Sequence, residues 1–398
     1  MSFTQRSGVI VIGAGPAGLA AAIGCHDAGL IATVVDTSPA ASAHAATGRS
    51  AALFSTTIAF LARLGVWDRC APHAEPLRAL QFIDDTGRRL RAPDALFKAA
   101  EIGEEAFGCN IANADLARAL KEIAAEKGIA ILTPGPLRTF HESATRAILT
   151  FENGIELYAP LAVAADGRNS ATREAAGIRA LTWPYEQTAM AASFSHSRPH
   201  NGLCIEFHRS GGPFTLIPLP GNRSSFVWTE RKADAARLMG LDDEAFAHEM
   251  EKASHFALGR IFDLSQRGAF PLSALMAREF GRARVALVGE AAHAVPPIGA
   301  QGLNLGFRDV EALLGLLVDA KAANADLGGE DLLRDYSAAR RGDIVSRTLG
   351  VDLLNRSLLS SFLPMQAARG LGLYALGAIG PLRRAFMRRG MAPAGPVQ

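Results

Sequence analysis

Cysteine is scarce and scattered. Cys25, Cys70, Cys109 and Cys204 are the only four thiols in 398 residues, and no two form a C-x-x-C pair. That argues against a disulfide framework or a zinc site and fits a reducing compartment. Excess charge of either sign is lacking too. Lys+Arg 41 against Asp+Glu 39 leaves +2, so nothing in the balance points to nucleic acid as a partner. No run reaches the ~18 uninterrupted apolar residues of a membrane-spanning helix. The nearest imitation, VIVIGAGPAGLAAAIG at 9–24, carries four glycines and follows no strongly basic leader. Nor is there an internal repeat or a low-complexity tract.

What is present is apolar bulk. Hydrophobic residues make up 49% and charged residues 20%, with mean hydropathy +0.13. Such a chain can build a large core and is not mainly disordered. At about 150 residues per domain, its length suggests two to three domains with a soluble body.

The first thirty-six residues carry the clearest pattern. Val9–Ile12 reads as a buried parallel strand, Leu19–Ala28 as a helix closed by Gly29, and Ile31–Val35 as a second strand ending at Asp36. Between the first strand and the helix lies Gly13-Ala14-Gly15-Pro16-Ala17-Gly18, a G-x-G-x-x-G. Gly13 suits the tight turn, Gly15 the close approach of a pyrophosphate, and Gly18 the packing of helix on strand. The helix N-terminus favours an anion, and Asp36 stands where a carboxylate accepts from ribose hydroxyls. The pattern predicts a dinucleotide site without choosing between NAD and FAD.

Further along, Ser50–Leu64 reads as a helix ended by Gly65. Residues 78–92 read as a hairpin around Asp85-Thr86-Gly87, and Asn113 as the N-cap of a helix over Ala114–Lys127. Asn153-Gly154 marks a second hairpin, and Leu161–Ala165 a buried strand delivering Asp166-Gly167. From about 180 to 275 the texture turns to strands, at 203–207, 214–219 and 224–229. Arg284–Val288 then restores a buried strand before Gly289-Glu290, a Pro/Gly loop and a helix near 303–318. This predicts an α/β, Rossmann-like nucleotide domain in three pieces (1–75, 105–180 and 276–350). A β-rich substrate domain occupies 76–104 and 181–275, and a helical basic-apolar segment 351–398.

Three motifs in this order resemble the single-component FAD-dependent aromatic hydroxylases, the class A flavin monooxygenases of the para-hydroxybenzoate hydroxylase type. They are the N-terminal fingerprint, Ala164–Arg173 around Asp166-Gly167-Arg168, and Gly289–Gly306. The resemblance implies FAD as cofactor and NADPH or NADH as reductant. Oxygen is then inserted from O2 through a flavin C4a-hydroperoxide. It brings Asp166, Gly289, Glu290, Pro297, Gly299, Gly302, Leu303 and Asn304 to the cofactor, together with Arg49 near the phosphates and, less directly, Arg173. Asn113 is counted with this set. Glu290 departs from the relatives' usual Asp. His293 reads as a structural residue rather than a base, no catalytic side chain is singled out, and no metal site is expected.

Phe214–Thr229 and Asp352-Leu353-Leu354-Asn355-Arg356 are similar to the ubiquinone-biosynthesis branch of that family. The substrate this implies is a polyprenylated phenol. After Asp352 come six arginines (Arg356, Arg369, Arg383, Arg384, Arg388, Arg389) and no acid. They are interleaved with Leu358, Leu359, Phe362, Leu363, Leu371, Leu373 and Tyr374. Peripheral membrane contact through this tail, or its packing on the protein itself, fits equally. A quinone-forming complex is a further expected partner, and a bacterial cytoplasm beside the inner membrane the expected location. Two other readings stay open: a hydroxylase of a soluble aromatic compound, and a non-hydroxylating flavoprotein such as a prenyl reductase or an accessory FAD-binding subunit. A flavin halogenase is disfavoured by the lack of a tryptophan-rich signature.

Overall fold

The computed structural model describes residues 4–6, 8–37, 48–87, 91, 93–359, 374 and 379–390. Four β-branched residues in a row, Val9–Ile12, are all fully buried, as a strand covered on both faces must be. They form the middle of a six-stranded sheet. Its order is Gly281–Arg282, Val285–Leu287, Leu161–Ala164, Val9–Ile12, Ala32–Val35, Ala130–Leu132, parallel except at the Gly281 edge. The helices Pro16–Asp27, Asn113–Glu126 and Gln301–Ala322 pack together with this sheet in one core. A four-stranded sheet, Thr4–Arg6, Glu156–Ala159, Ala147–Phe151 and Leu137–Glu142, contains the hairpin that Asn153-Gly154 turns.

The second large sheet has nine strands. Ala180–His196 lies near its centre, between Gly268–Ala277 and Arg223–Arg231. Pro213–Leu219, Leu203–His208, Ala79–Asp84 and Ala95–Lys98 follow outward. Sequence positions 79–98 thus join the sheet made by 180–294. Pro184 has no N–H to give the ladder, and the pairing with Gly268–Ala277 slips between Pro184 and Thr188. The bulge is pinned from outside. Tyr185 Oη and Trp183 Nε1 donate to Asp352 Oδ1 at 2.5 and 3.0 Å, and Asn355 Nδ2 donates to Gln187 Oε1 at 2.9 Å. Burial pushes the Asp352 carboxyl up, but the bonds from Tyr185, Arg356 and Trp183 outweigh it and hold it below the usual range.

Three local expectations are corrected. Ser50–Leu64 is not one helix: Ser50–Phe54 is a strand paired with Gly108–Ala112, and the helix runs over Ser55–Arg63. A distant partner overrides helix propensity there. Asn113 is the first residue of its helix, not the cap. Ala112 holds the cap position, and Asn113 Oδ1 is buried without a partner. Finally, the strand-rich region also holds the helices Lys232–Met239 and Asp243–Ala253, the latter capped by Asp242 accepting from Ala245 N–H at 2.7 Å.

Glu330–Leu359 is a single helix that runs through position 350. Of the tail beyond it, Arg369, Phe362, Leu363, Leu371 and Leu373 lie outside the described residues. Gly380–Gly390 is a helix laid against the far edge of the nine-stranded sheet. Arg383 forms a two-pronged ion pair with Glu101, both contacts at 2.7 Å, and its hydrogen bonds hold that carboxyl below the usual range. Met387 is buried among Phe97, Ala99 and Phe107. No helix among the described residues is long and apolar enough to cross a membrane.

Candidate functional site

The carboxyl ends of the central strands meet side by side. Gly13 N–H donates to Val35 C=O and Ala165 N–H to Ile12 C=O, both at 2.7 Å, while Val288 N–H donates to Ala164 C=O at 3.0 Å. Open α/β sheets bind ligands at this end. Each of the three sequence motifs arrives here, and their glycines show how tightly. Gly13 has φ +108, and a Cβ on it would lie 2.3 Å from the Ala165 carbonyl oxygen. A Cβ on Gly18 would lie 2.0 Å from the Gly13 carbonyl oxygen. One on Gly289 would touch the Ala17 side chain at 3.4 Å, and one on Gly306 the Gly289 Cα at 3.2 Å. The fingerprint, the Asp166 segment and the Gly289 segment are therefore in mutual van der Waals contact.

Gly15 and Gly302 behave differently. A Cβ at either meets nothing within 4 Å, and both residues are exposed, as are Glu290, Pro297 and Gly299. With the half-buried Ala14, Pro16, Ala17 and Leu303 beside them, these exposed positions leave an open strip on the motifs. Both helices that end on it lack a side-chain cap and lack an acid in the first turn, at Gly15–Pro16 and at Ala300–Gln301. Their unpaired N–H groups are left for an anion. Gly299 and Ala300, with φ +65 and +54, turn the chain into the second of these helices. A flat, doubly phosphorylated cofactor fits this strip, with one helix end for its pyrophosphate and one for its ring.

The other expected residues fall as follows. Asp36 follows the strand Ala32–Val35, and Leu303 is half-buried in the first turn of its helix. Arg49 places its guanidinium 4.8 Å over the Phe270 ring, and its carbonyl accepts from Asn113 N–H at 2.9 Å. The Asp166 carboxylate takes the Ser170 hydroxyl at 2.5 Å and the Thr172 N–H at 3.0 Å, so it caps the short helix Ala171–Ala175. Arg173 is buried and donates to the carbonyls of Arg168 and Ala291. Asn304 spends its whole amide on the protein. It donates to Ala52 and Ala300 C=O and accepts from Phe54 N–H and Thr57 Oγ1, tying the Ser50–Phe54 strand to the helix.

His293 is fully buried and bonds through Nε2 to Asp309 Oδ2 at 2.6 Å. Asp309 was not singled out in the sequence. Its carboxylate also accepts from Gly289 N–H at 3.0 Å and, through Oδ1, from Arg340 Nε at 2.7 Å. Three distant elements thus converge to hold Gly289 in place behind the open strip. The available signal was an acid on an apolar helix stripe, Leu305, Asp309 and Leu313 at four-residue spacing. Among the described residues no group of three metal-ligating side chains occurs.

The FAD binding domain family model matches residues 6–348, and the chain belongs to that family, the class A flavin aromatic hydroxylases. It is an FAD-dependent monooxygenase that uses NAD(P)H as reductant. Ubiquinone hydroxylase UbiL of Rhodospirillum rubrum is 33% identical over 386 residues, covering 96% of this chain and 89% of that one. The 3-demethoxyubiquinol 3-hydroxylase of Escherichia coli is 29% identical, covering 96% and 98%. Among solved structures, p-nitrophenol 4-monooxygenase PnpA of Pseudomonas putida shares the fold with TM-score 0.77 at 19% identity, covering 98% of each chain.

Proposed function

We propose that this enzyme hydroxylates the ring of a polyprenylated phenol on the way to ubiquinone. The observation that carries the reading is similarity along nearly the whole chain to two ubiquinone-pathway hydroxylases. The structure adds support from the sheet face turned toward the nucleotide-binding domain. Cys204, Glu206, Thr215, Ile217, Ser225 and Val227 cross the middle of that face and include no Lys or Arg, although Arg49 lies over Phe270 farther along it. A carboxylate-bearing aromatic acid wants a basic partner, whereas a neutral prenyl phenol does not.

FAD, when bound, supplies hydride acceptance from NAD(P)H and the activation of O2. The chain's own residues bind and orient it. Gly15, Ala17 and the helix behind them would take the pyrophosphate, and Arg49 could donate to it only by leaving the Phe270 ring over which it lies. Asp36 would accept from ribose hydroxyls, and Glu290 would reach the ribityl chain. The helix N-terminus at Gly302–Leu303 would hold the ring, where its dipole favours negative charge. The Arg340–Asp309–His293 network keeps Gly289 from moving.

Deletion of the gene in its source organism tests the substrate. Mass spectrometry of lipid extracts is expected to find an accumulated prenyl phenol lacking one hydroxyl. An unchanged quinone profile contradicts the proposal.

Access from a membrane surface is part of the same reading. On the helix Gly380–Gly390, Arg383 and Met387 face the protein, while Arg384, Arg388 and Leu382 are exposed, with Ile379 exposed just before them. A basic-apolar outer face suits an anionic bilayer. Replacing Arg384 and Arg388 by Ala is expected to weaken binding to phosphatidylserine-containing vesicles. At about 1 kcal/mol per basic residue the loss is roughly thirty-fold. Unchanged vesicle binding contradicts this contact.

A further inference from the structure

The nine-stranded sheet buries a carboxylate–imidazole pair, Glu206 and His208. Strand alternation and register divide its two faces. Ile205, Phe207, Phe214 and Phe226 point to one side, into a core with Phe246 and Met250. Glu206, His208, Thr215 and Ser225 point to the other. That second face is the one the nucleotide-binding domain covers. Ser225 Oγ lies 2.5 Å from Ser50 Oγ, and Arg49 stands over Phe270, which pairs with Ala189 on the same face. The segment carrying Arg49 therefore lies on the same face as the pair.

His208 Nε2 is 2.8 Å from Glu206 Oε1, and Thr215 Oγ1 is 3.4 Å from Glu206 Oε2. Glu206 is 5% exposed and His208 3%. The imidazole stacks near Phe82 at 5.5 Å between centroids, and Phe82 meets Phe97 edge-on at 5.9 Å. Taking charged or chargeable groups out of water is costly, and an apolar pair of similar size would serve the sheet better. A pair kept in this position, among aromatic rings, has a use other than packing. Its geometry is that of an oriented base. The carboxylate accepts the Nε2 proton, fixing the tautomer that leaves the Nδ1 lone pair available, and Nδ1 has no partner among the described residues.

We infer that His208, oriented by Glu206, is the base that receives the substrate's phenolic proton. This rests on the phenol reading given above. The O–H bond breaks with its electron pair left on oxygen, the proton binds His208 Nδ1, and Glu206 stabilises the imidazolium. The phenolate ring is the more electron-rich nucleophile toward one oxygen atom of O2; as the C–O bond forms the O–O bond breaks, and the second atom leaves as water with the two electrons supplied by NAD(P)H. As the ring regains aromaticity, its displaced carbon-bound proton leaves to water and His208 returns its own proton to the oxygen.

The test compares the holoenzyme with His208→Gln and Glu206→Gln variants on two phenols of the same skeleton. One has the ordinary phenolic pKa of about 10, and the other is fluorinated so that it is already ionised at the assay pH. With the ordinary phenol, His208→Gln is expected to lower product formation about a hundred-fold. FAD content and NAD(P)H-driven flavin reduction stay unchanged, and H2O2 rises. With the ionised phenol the same variant stays within a small factor of wild type. Glu206→Gln shows the same pattern with a smaller loss, and it carries the test if His208→Gln does not retain FAD. Equal losses on both phenols, or no loss on the ordinary one, overturn the assignment. Wild-type enzyme that oxidises NAD(P)H yet hydroxylates neither phenol removes the phenol reading, and this inference with it.

Discussion

A Gly15→Val variant is expected to fold normally and to emerge from purification without its flavin. Gly15 has φ −73 and ψ 173, extended backbone that any residue adopts, so valine introduces no strain. A Cβ there meets no protein atom within 4 Å, and the residue is exposed. The added bulk therefore enters only the space reserved for the pyrophosphate. Affinity for FAD should fall more than about a hundred-fold, or ~3 kcal/mol, while the circular dichroism and unfolding midpoint of the flavin-free protein match wild type. The neighbouring glycines set the contrast. Alanine at Gly13 or Gly18 drives a methyl into backbone carbonyls at 2.3 or 2.0 Å, so those variants lose the fold and the cofactor together. A Gly15→Val protein with a full complement of FAD would remove the pyrophosphate from this turn.

The second large effect belongs to a residue that touches no ligand. Asp309 is fully buried and neutralises Arg340, which is 6% exposed. Asp309→Asn keeps the shape and removes the charge, leaving the guanidinium only Asp343, 3.0 Å from its Nη2, as an ion partner. Breaking a buried pair in this way costs about 3–5 kcal/mol. Asp319 provides the control, since it stands exposed on the same helix, and its change to Asn should stay within about 0.5 kcal/mol. Chemical denaturation followed by far-UV circular dichroism reads both. A midpoint for Asp309→Asn equal to wild type would mean that the network holding Gly289 carries no stability.

The parts of this fold legible in the sequence were those decided locally. Val9–Ile12, the glycine turn, the helix behind it and Ala32–Val35 lie within thirty residues, and each residue's own chemistry agrees with its place. Asn153-Gly154 turned a hairpin for the same reason. Ser50–Phe54 was misread because its strand conformation comes from Gly108–Ala112, more than fifty residues away. Separations of 16 to 31 residues hid the Asp309 network, since Gly289, His293 and Arg340 stand on three separate elements. The helix capped by Asp242 was a different miss. Its signal was local, an Asp followed by two acids ahead of Phe246 and Met250, but the surrounding run of strands set the expectation.

Site residues divide along the same line. Gly13 and Gly18 sit where their spacing implied, because a Cβ on either would run into a backbone carbonyl, of Ala165 and of Gly13, whereas at Gly15 no protein atom makes such a demand. Asn304 lies in the right motif, yet its side chain binds Ala52, Phe54 and Thr57 across the domain. Asp166 likewise spends its carboxylate on Ser170 and Thr172. Glu206 and His208 carried no motif at all. Two residues apart in an ordinary strand, they acquire meaning only from the face on which the register places them.

The most direct measurement of the central claim is isotope incorporation by the purified holoenzyme. Given NAD(P)H, 18O2 and a short-chain prenyl phenol, it is expected to add one labelled oxygen to the ring for each reductant consumed. Oxidation of NAD(P)H with H2O2 as the sole oxygen product, and no label in the ring, would contradict it.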